Sequence, residues 1–248
     1  MDLKQKVTAL TQMRGAMVFE FFSPGIPIIL KNAGCEFVIF DMEHGGLSLE
    51  QFKTLSIVSN SNKIAPFIRI PEIKYNYIAR ALDLGASGVM VPMVNTPGDA
   101  MKIVRSSKYP PQGKRGAGFG FAHDNYINNN PLSYIEKANN SLINIIQIET
   151  KQGLENVKEI AAVDGVDCLW VGHFDLTNFL GIPGDFSSTI YLDAINEIVF
   201  AAKTYKKSLG IMINNKQELD TYSELGFNMI AVGTEMNILT KSISQILE

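Results

Sequence analysis

Residues 36–59 read EFVIFDMEHGGLSLEQFKTLSIVS, and this stretch carries three signals in order. Phe37-Val38-Ile39-Phe40 is a continuous apolar run, the pattern of a strand covered on both faces, as in a parallel sheet. The next six residues, Asp41 to Gly46, place two carboxylates and an imidazole in four positions and end on Gly-Gly. Residues 48–59 then recur with helical spacing. Strand, polar loop and helix in that order form one βα unit.

Working outward, the same unit recurs along the whole chain. Short β-rich runs fall at 16–21, 36–41, 65–70, 88–91, 142–148, 167–171, 209–213 and 228–232, with helical patterns such as 48–59, 75–84, 153–162 and 191–205 between them. Gly85 and Gly226 follow helical stretches, where glycine accepts the left-handed conformation that ends a helix. Eight strands alternating with helices over 248 residues is the count for an α/β fold of the (β/α)8 TIM-barrel type, as a single domain spanning 1–248. A doubly wound open sheet is the competing arrangement. One segment departs from the alternation. Residues 109–131, YPPQGKRGAGFGFAHDNYINNNP, are rich in Gly, Pro and Asn and too long for an ordinary connection, so they read as an active-site excursion.

Composition excludes several classes. With 22 Lys+Arg against 25 Asp+Glu the net charge is −3, which offers no long-range attraction for nucleic acid or an anionic membrane. No apolar run approaches the length that spans a bilayer, and residues 1–6 lack the apolar core of a signal peptide. Cys35 and Cys168 are the only cysteines, each within an apolar stretch; they read as buried thiols in a reducing compartment. The expectation is a cytoplasmic globular protein acting on a small molecule.

In a barrel, chemistry sits where strands end at the C-terminal face. Strand two ends beside His44, either a general base oriented by a carboxylate or part of a solvated helix-capping loop. Strand three ends in Arg69 between two isoleucines, a planar cation suited to a carboxylate or an enolate oxygen, or to an ion pair with Asp41 or Glu43. Strand five ends in Gln147-Ile148-Glu149, with Gln147 and Glu149 on one face. Strand six is followed by Gly172-His173-Phe174-Asp175. Glu149 and Asp175 form an oxygen-ligand pair of the kind that binds Mg²⁺ or Mn²⁺ through one or two carboxylates plus water and substrate. His123, in the excursion, reads equally as a substrate contact or a loop residue. No Gly-rich dinucleotide loop, P-loop or HExxH pattern is present.

With those residues in place, the chain resembles the HpcH/HpaI family of pyruvate-dependent, divalent-metal (class II) aldolases. The segments that carry the likeness are FVIFDMEHGGLSLE (37–50), PFIRIPE (66–72), ALDLGASGVMVPMVNT (81–96), YPPQGKRGAGFG (109–120), IIQIET (145–150) and VGHFDLTNFLGIPG (171–184). The resemblance implies a barrel of the phosphoenolpyruvate/pyruvate type, assembled as a homohexamer, a trimer of dimers that exchange C-terminal helices. It implies Glu149 and Asp175 as ligands of Mg²⁺, Mn²⁺ or Co²⁺. Arg69 is implied to contact pyruvate and its enolate, and His44 to be the catalytic histidine. Asp83 would pair with His44, in the family often from a neighbouring subunit. Gln147 is placed near the metal, and Phe174 and Asp175 would offer backbone N–H groups to the substrate carboxylate.

The chain departs from the family at three places. It has Gly172-His173-Phe174-Asp175 where Gly-Pro-x-Asp is common, and Phe121-Ala122-His123-Asp124 where many members carry Arg-Ala. The last strand ends in Gly233-Thr234-Glu235 rather than Gly-Ser-Asp. The departures fall at the rim, so the rim residues His44, Phe121, His123 and Phe174 are assigned to the aldehyde, and Glu235 is expected to have little part in enolate formation. The implied reaction is reversible cleavage of a 4-hydroxy-2-oxo acid to pyruvate and an aldehyde. The alternatives are a citrate-forming or malyl-cleaving lyase of the same superfamily, a Schiff-base aldolase, and a non-catalytic barrel that binds a small carboxylate.

Overall fold

A computed structural model of the chain describes residues 2–127 and 130–248. The first half runs α1 (Leu3–Thr8), β1 (Met13–Val18), α2 (Ile26–Asn32), β2 (Phe37–Asp41), α3 (Leu49–Ser61), β3 (Ala65–Arg69), α4 (Tyr75–Asp83), β4 (Gly88–Val91) and α5 (Pro97–Ser107). A 3₁₀ turn (Ala122–Asp124) and α6 (Pro131–Ser141) lead into β5 (Ile143–Ile148). The chain continues through α7 (Lys151–Glu155), α8 (Val157–Ala162), β6 (Cys168–Val171), α9 (His173–Phe179) and α10 (Thr189–Thr204). It closes with β7 (Ser208–Ile213), α11 (Lys216–Leu225), β8 (Met229–Val232) and α12 (Glu235–Leu247). The eight strands are parallel, pair in chain order and close through β1 and β8 into a barrel. Among the described residues no helix is long and apolar enough to cross a membrane.

Alternation along each strand divides the core in two. Phe37 and Ile39 of β2, Phe67 of β3, and Ile143 and Ile145 of β5 point into the barrel with Met13, Met17, Met90, Trp170 and Met229. Val38, Phe40, Ile68, Ile146 and Ile148 point outward and pack under the helices. Both faces of the strands are therefore largely apolar, which is why the runs read as continuous. Gly210 leaves the space that the Trp170 ring occupies. Val7 of α1 joins the interior cluster, so α1 stoppers the N-terminal end of the barrel.

Most element ends fall within two residues of the sequence reading, and two elements differ by more. The first strand spans Met13–Val18, not 16–21, because residues 19–21 turn their N–H groups to the Glu235 carboxylate instead of to a neighbouring strand. The helix expected at 153–162 breaks at Asn156, whose side-chain amide donates to the Asn95 carbonyl.

The excursion at 109–131 follows α5 and precedes β5. It is an αβ connection, and topology puts it at the N-terminal end of the barrel, away from this chain's own catalytic face. Its length signalled something unusual without indicating which end it serves. Positions 128 and 129 lie outside the described residues.

Candidate active site

The inward rows end in polar residues at the C-terminal face. In β5 the row Ile143, Ile145 continues to Gln147 and Glu149. In β2 and β3 the rows end in Asp41 and Arg69, which are paired across the strands in register. Two charges thus meet at the barrel mouth because each continues the face its apolar neighbours occupy.

Asp41 is completely buried. One carboxylate oxygen accepts the backbone N–H groups of His44 (2.8 Å) and Gly45 (2.9 Å), while the other binds Arg69 Nε. One side chain therefore both shapes the 42–46 turn and clamps the guanidinium. Gly45 is required there, since a Cβ would collide with the Phe19 and Asp41 carbonyls. Glu43 lies 3.1 Å from Arg69 Nη1, and the Arg69 guanidinium lies over the Phe19 ring, 5.4 Å from its centroid. The His44 imidazole is exposed, with Nε2 3.9 Å from Glu43.

Glu149 is buried and held from two sides: Met93 N–H donates to one oxygen at 2.6 Å and the Gln147 amide to the other. Gly172 makes room for it, since a Cβ would overlap the carboxylate. Burial pushes Glu149 up to about 7, against the lowering effect of those hydrogen bonds and with the charges of Glu43 and Asp175 adding to the rise. Burial likewise pushes Glu43 up to about 7; Arg69 opposes the shift, and Asp41 and Asp175 add to it. Four carboxylates, Asp41, Glu43, Glu149 and Asp175, are thus coupled here, with Arg69 as the nearby cation. That is an arrangement a divalent cation would relieve.

Among the described residues no three His, Cys, Asp or Glu side chains are grouped to enclose a metal ion. The mouth therefore offers a partial ligand set, Glu149 with Asp175 from the first turn of α9. A hard cation that keeps water and substrate oxygens in its shell fits such a set. Gln147, which lines the mouth, has its Oε1 buried without a hydrogen-bond partner.

A cavity of about 210 Å³ lies between these groups. Its polar lining includes His44, Arg69, Gln147, Asp175 and Thr234, and its apolar lining includes Met17, Phe19, Trp170 and Met212. No lysine is among its lining residues, which removes the support for a Schiff-base aldolase. Phe174 is exposed at the rim. His173 is buried between the Phe174 ring (4.6 Å) and the Phe186 ring (5.2 Å), and burial lowers it to about 4, so it stands neutral. Sequence reasoning gave no role to Asp41 beyond an ion pair and none to Phe19. Only the strand register and the loop geometry show them.

Asp83, Phe121 and His123 are not at this mouth within one chain. Asp83 ends α4 at the opposite end of the barrel, where it accepts from Arg115 Nη2 (2.6 Å) and Nε (3.2 Å). Arg115 is buried and stacks on Tyr109, 4.5 Å from the ring centroid. His123 Nδ1 sits 3.2 Å from the Asp83 carbonyl, and Phe121 is exposed beside it. The sequence reading gathered these three with His44; the fold of a single chain gathers them with one another.

The chain matches the family described as HpcH/HpaI aldolase/citrate lyase over residues 21–242. It is 30% identical over 227 residues to a hydroxypyruvate/pyruvate aldolase of Roseovarius nubinhibens, covering 92% of this chain and 88% of that one. It is also 30% identical over 219 residues to a 4-hydroxy-2-oxo-heptane-1,7-dioate aldolase of Escherichia coli, covering 86% and 81%. The crystal structure of an HpcH/HpaI aldolase from Desulfitobacterium hafniense superposes with a TM-score of 0.95 at 27% identity, over 100% of this chain and 95% of that one.

Proposed function

The chain belongs to the HpcH/HpaI aldolase/citrate lyase family and is a carbon–carbon lyase; from that premise we propose that it cleaves a 4-hydroxy-2-oxo acid reversibly to pyruvate and an aldehyde. The observation that carries the reading is the convergence of Arg69, Gln147, Asp175 and His44 on one small cavity with Glu149 buried behind it.

The family supports a divalent metal as cofactor in general. Mg²⁺ or Mn²⁺, with Co²⁺ as a substitute, would be held by Glu149 and Asp175 and would supply Lewis-acid polarisation of the keto oxygen. Arg69, fixed by Asp41, presents a preorganised cation to the enolate oxygen in a site partly closed to water. The start of α9 offers the Phe174 and Asp175 N–H groups to the pyruvyl carboxylate, as helix N-termini do for anions. Gln147 orients Glu149. His44, exposed at the rim, moves the proton between the substrate and solvent.

Asp83 serves His44 only if a second copy presents its N-terminal end to this mouth. The homo-oligomer, a hexamer built as a trimer of dimers, is part of the same proposal. Its support is α12, whose Ile238, Leu239, Ile243, Ile246 and Leu247 are all exposed, a face that another copy would cover. A cytoplasmic location completes the reading. The lining offers no lysine and no arginine besides Arg69, itself held by two carboxylates, so the aldehyde is neutral or hydroxylated. Incubating a panel of aldehydes with pyruvate and Mn²⁺ and reading product masses tests this. Adducts should form with short neutral aldehydes; no adduct with any aldehyde would refute aldolase chemistry.

A further inference from the structure

At the far end of the chain's last βα turn, Glu235 opens α12, a position where a negative charge suits the helix dipole. The residue is half-buried, and its carboxylate is bound to backbone N–H groups. One oxygen accepts from the backbone N–H groups of Phe19 (3.0 Å), Glu20 (2.6 Å) and Phe21 (2.9 Å), and the other accepts from Phe19 again at 3.1 Å. Three consecutive N–H groups converging on one anion form a backbone nest, held by charge-assisted hydrogen bonds. This contact pulls residues 19–21 out of the sheet and ends β1 at Val18.

The position of that loop matters for the mouth. Phe19 lines the 210 Å³ cavity, and so does Thr234, the residue before Glu235. The Phe19 ring is the apolar surface against which Arg69 lies, while Asp41 and Glu43 hold its nitrogens. The Phe19 carbonyl also borders Gly45, in the turn that carries His44. One loop therefore touches both Arg69 and the turn that carries His44, and one carboxylate from the other side of the β1–β8 closure holds it.

We propose that Glu235 is a positioning residue of the active site, which acts by gathering the N–H groups of Phe19, Glu20 and Phe21 and so keeping the Phe19 ring against Arg69. The inference rests on the aldolase reading for the role of Arg69, and it reverses the sequence-based expectation that Glu235 is dispensable. Glutamine can keep an acceptor oxygen where the three N–H groups converge; alanine keeps none.

The test combines amide hydrogen exchange of residues 19–21 with Mn²⁺-dependent exchange of pyruvate methyl protons for deuterium, in wild type, Glu235→Ala, Glu235→Gln, Phe19→Ala and the Glu235→Ala/Phe19→Ala pair. In Glu235→Ala the three amides should exchange about tenfold faster. Methyl exchange should fall by about 10- to 100-fold, mainly in kcat, as expected for a displaced catalytic cation. Glu235→Gln should recover most of both. In the double variant the loss should be close to that of Phe19→Ala alone, since both act through one contact. Unchanged amides in Glu235→Ala, unchanged kcat despite faster amides, or additive losses in the pair would each overturn the proposal. A wild type with protected amides and no pyruvate exchange would overturn the aldolase reading and Arg69's role with it. Unprotected amides in an active wild type would overturn the tether alone.

Discussion

The barrel carries an arginine–aspartate pair at each end, and the two pairs look alike. Arg69 with Asp41 and Arg115 with Asp83 both put a buried guanidinium against a carboxylate and over an aromatic ring. Their settings differ. Asp41 and Arg69 are cross-strand neighbours, completely or nearly completely buried beside a cavity and further carboxylates. Asp83 is 38% exposed at a helix end, and Arg115 reaches it from an irregular connection. An ion pair fixed by sheet register presents a rigid charge to a ligand; one built on an αβ connection fixes the loop that carries it.

Metal removal should separate the two ends most sharply. Chelation should abolish cleavage and methyl exchange, and Mg²⁺, Mn²⁺ or Co²⁺ should restore both, while the Arg115 end contributes no ligand. Full activity after chelation would refute the metal assignment. The sign of the pH dependence follows from Glu43 and Glu149. Both sit near 7 when folded and near 4.3 when unfolded, so between those values the folded protein holds more protons. Metal-free protein should therefore lose stability as pH rises through this window. A cation competes with those protons, so the rise in Tm caused by Mn²⁺ should grow from about pH 5 to 8. A metal effect that is constant with pH would remove the carboxylates from its site.

Exchanging the arginines is the next test. Arg69→Ala should slow methyl exchange by about 10²–10³, by analogy with the loss of one oxyanion donor. It should also destabilise the protein by about 3–5 kcal/mol, since Asp41 is left buried and unpaired. Arg69→Lys, which keeps charge without the fork, should restore much of the stability and little of the rate. Arg115→Ala should cost less stability, because its partner is partly solvated. Equal methyl exchange in wild type and Arg69→Lys would show that only charge is needed at the mouth.

The mouth was the more legible end, for a physical reason. Period-two alternation carries Gln147 and Glu149 inward from Ile143 and Ile145, so a correct strand predicts its terminal side chains; the fourth strand matched residue for residue at Gly88–Val91. The first strand overshot because Phe19 and Phe21 are apolar enough to continue it, and the competing carboxylate is more than 210 residues away. Asp41 was legible as a charge but not as the acceptor that shapes the His44 turn, since that depends on loop dihedrals. The end of the barrel at which His123 lies was not legible, because composition marks a loop as unusual without saying which end it occupies.

His123→Ala yields the smallest expected effect and tests whether the two ends ever meet. Within one chain the imidazole contacts the Asp83 carbonyl and the Tyr134 ring at the N-terminal end. Pyruvate methyl exchange, which needs only the mouth, should therefore stay within about twofold of wild type. If assembly brings this end of one copy to the mouth of another, the variant should still change kcat/KM for cleavage by different factors for different aldehydes. A single contact supplies about 1–3 kcal/mol, or 10- to 200-fold, of discrimination. That selectivity should vanish in protein dissociated by shortening α12, whose apolar face lies open in the single chain. If aldehyde selectivity is unchanged by His123→Ala in the assembled protein, the excursion is a structural feature of its own end and the aldehyde is chosen by Phe174 and the cavity wall alone.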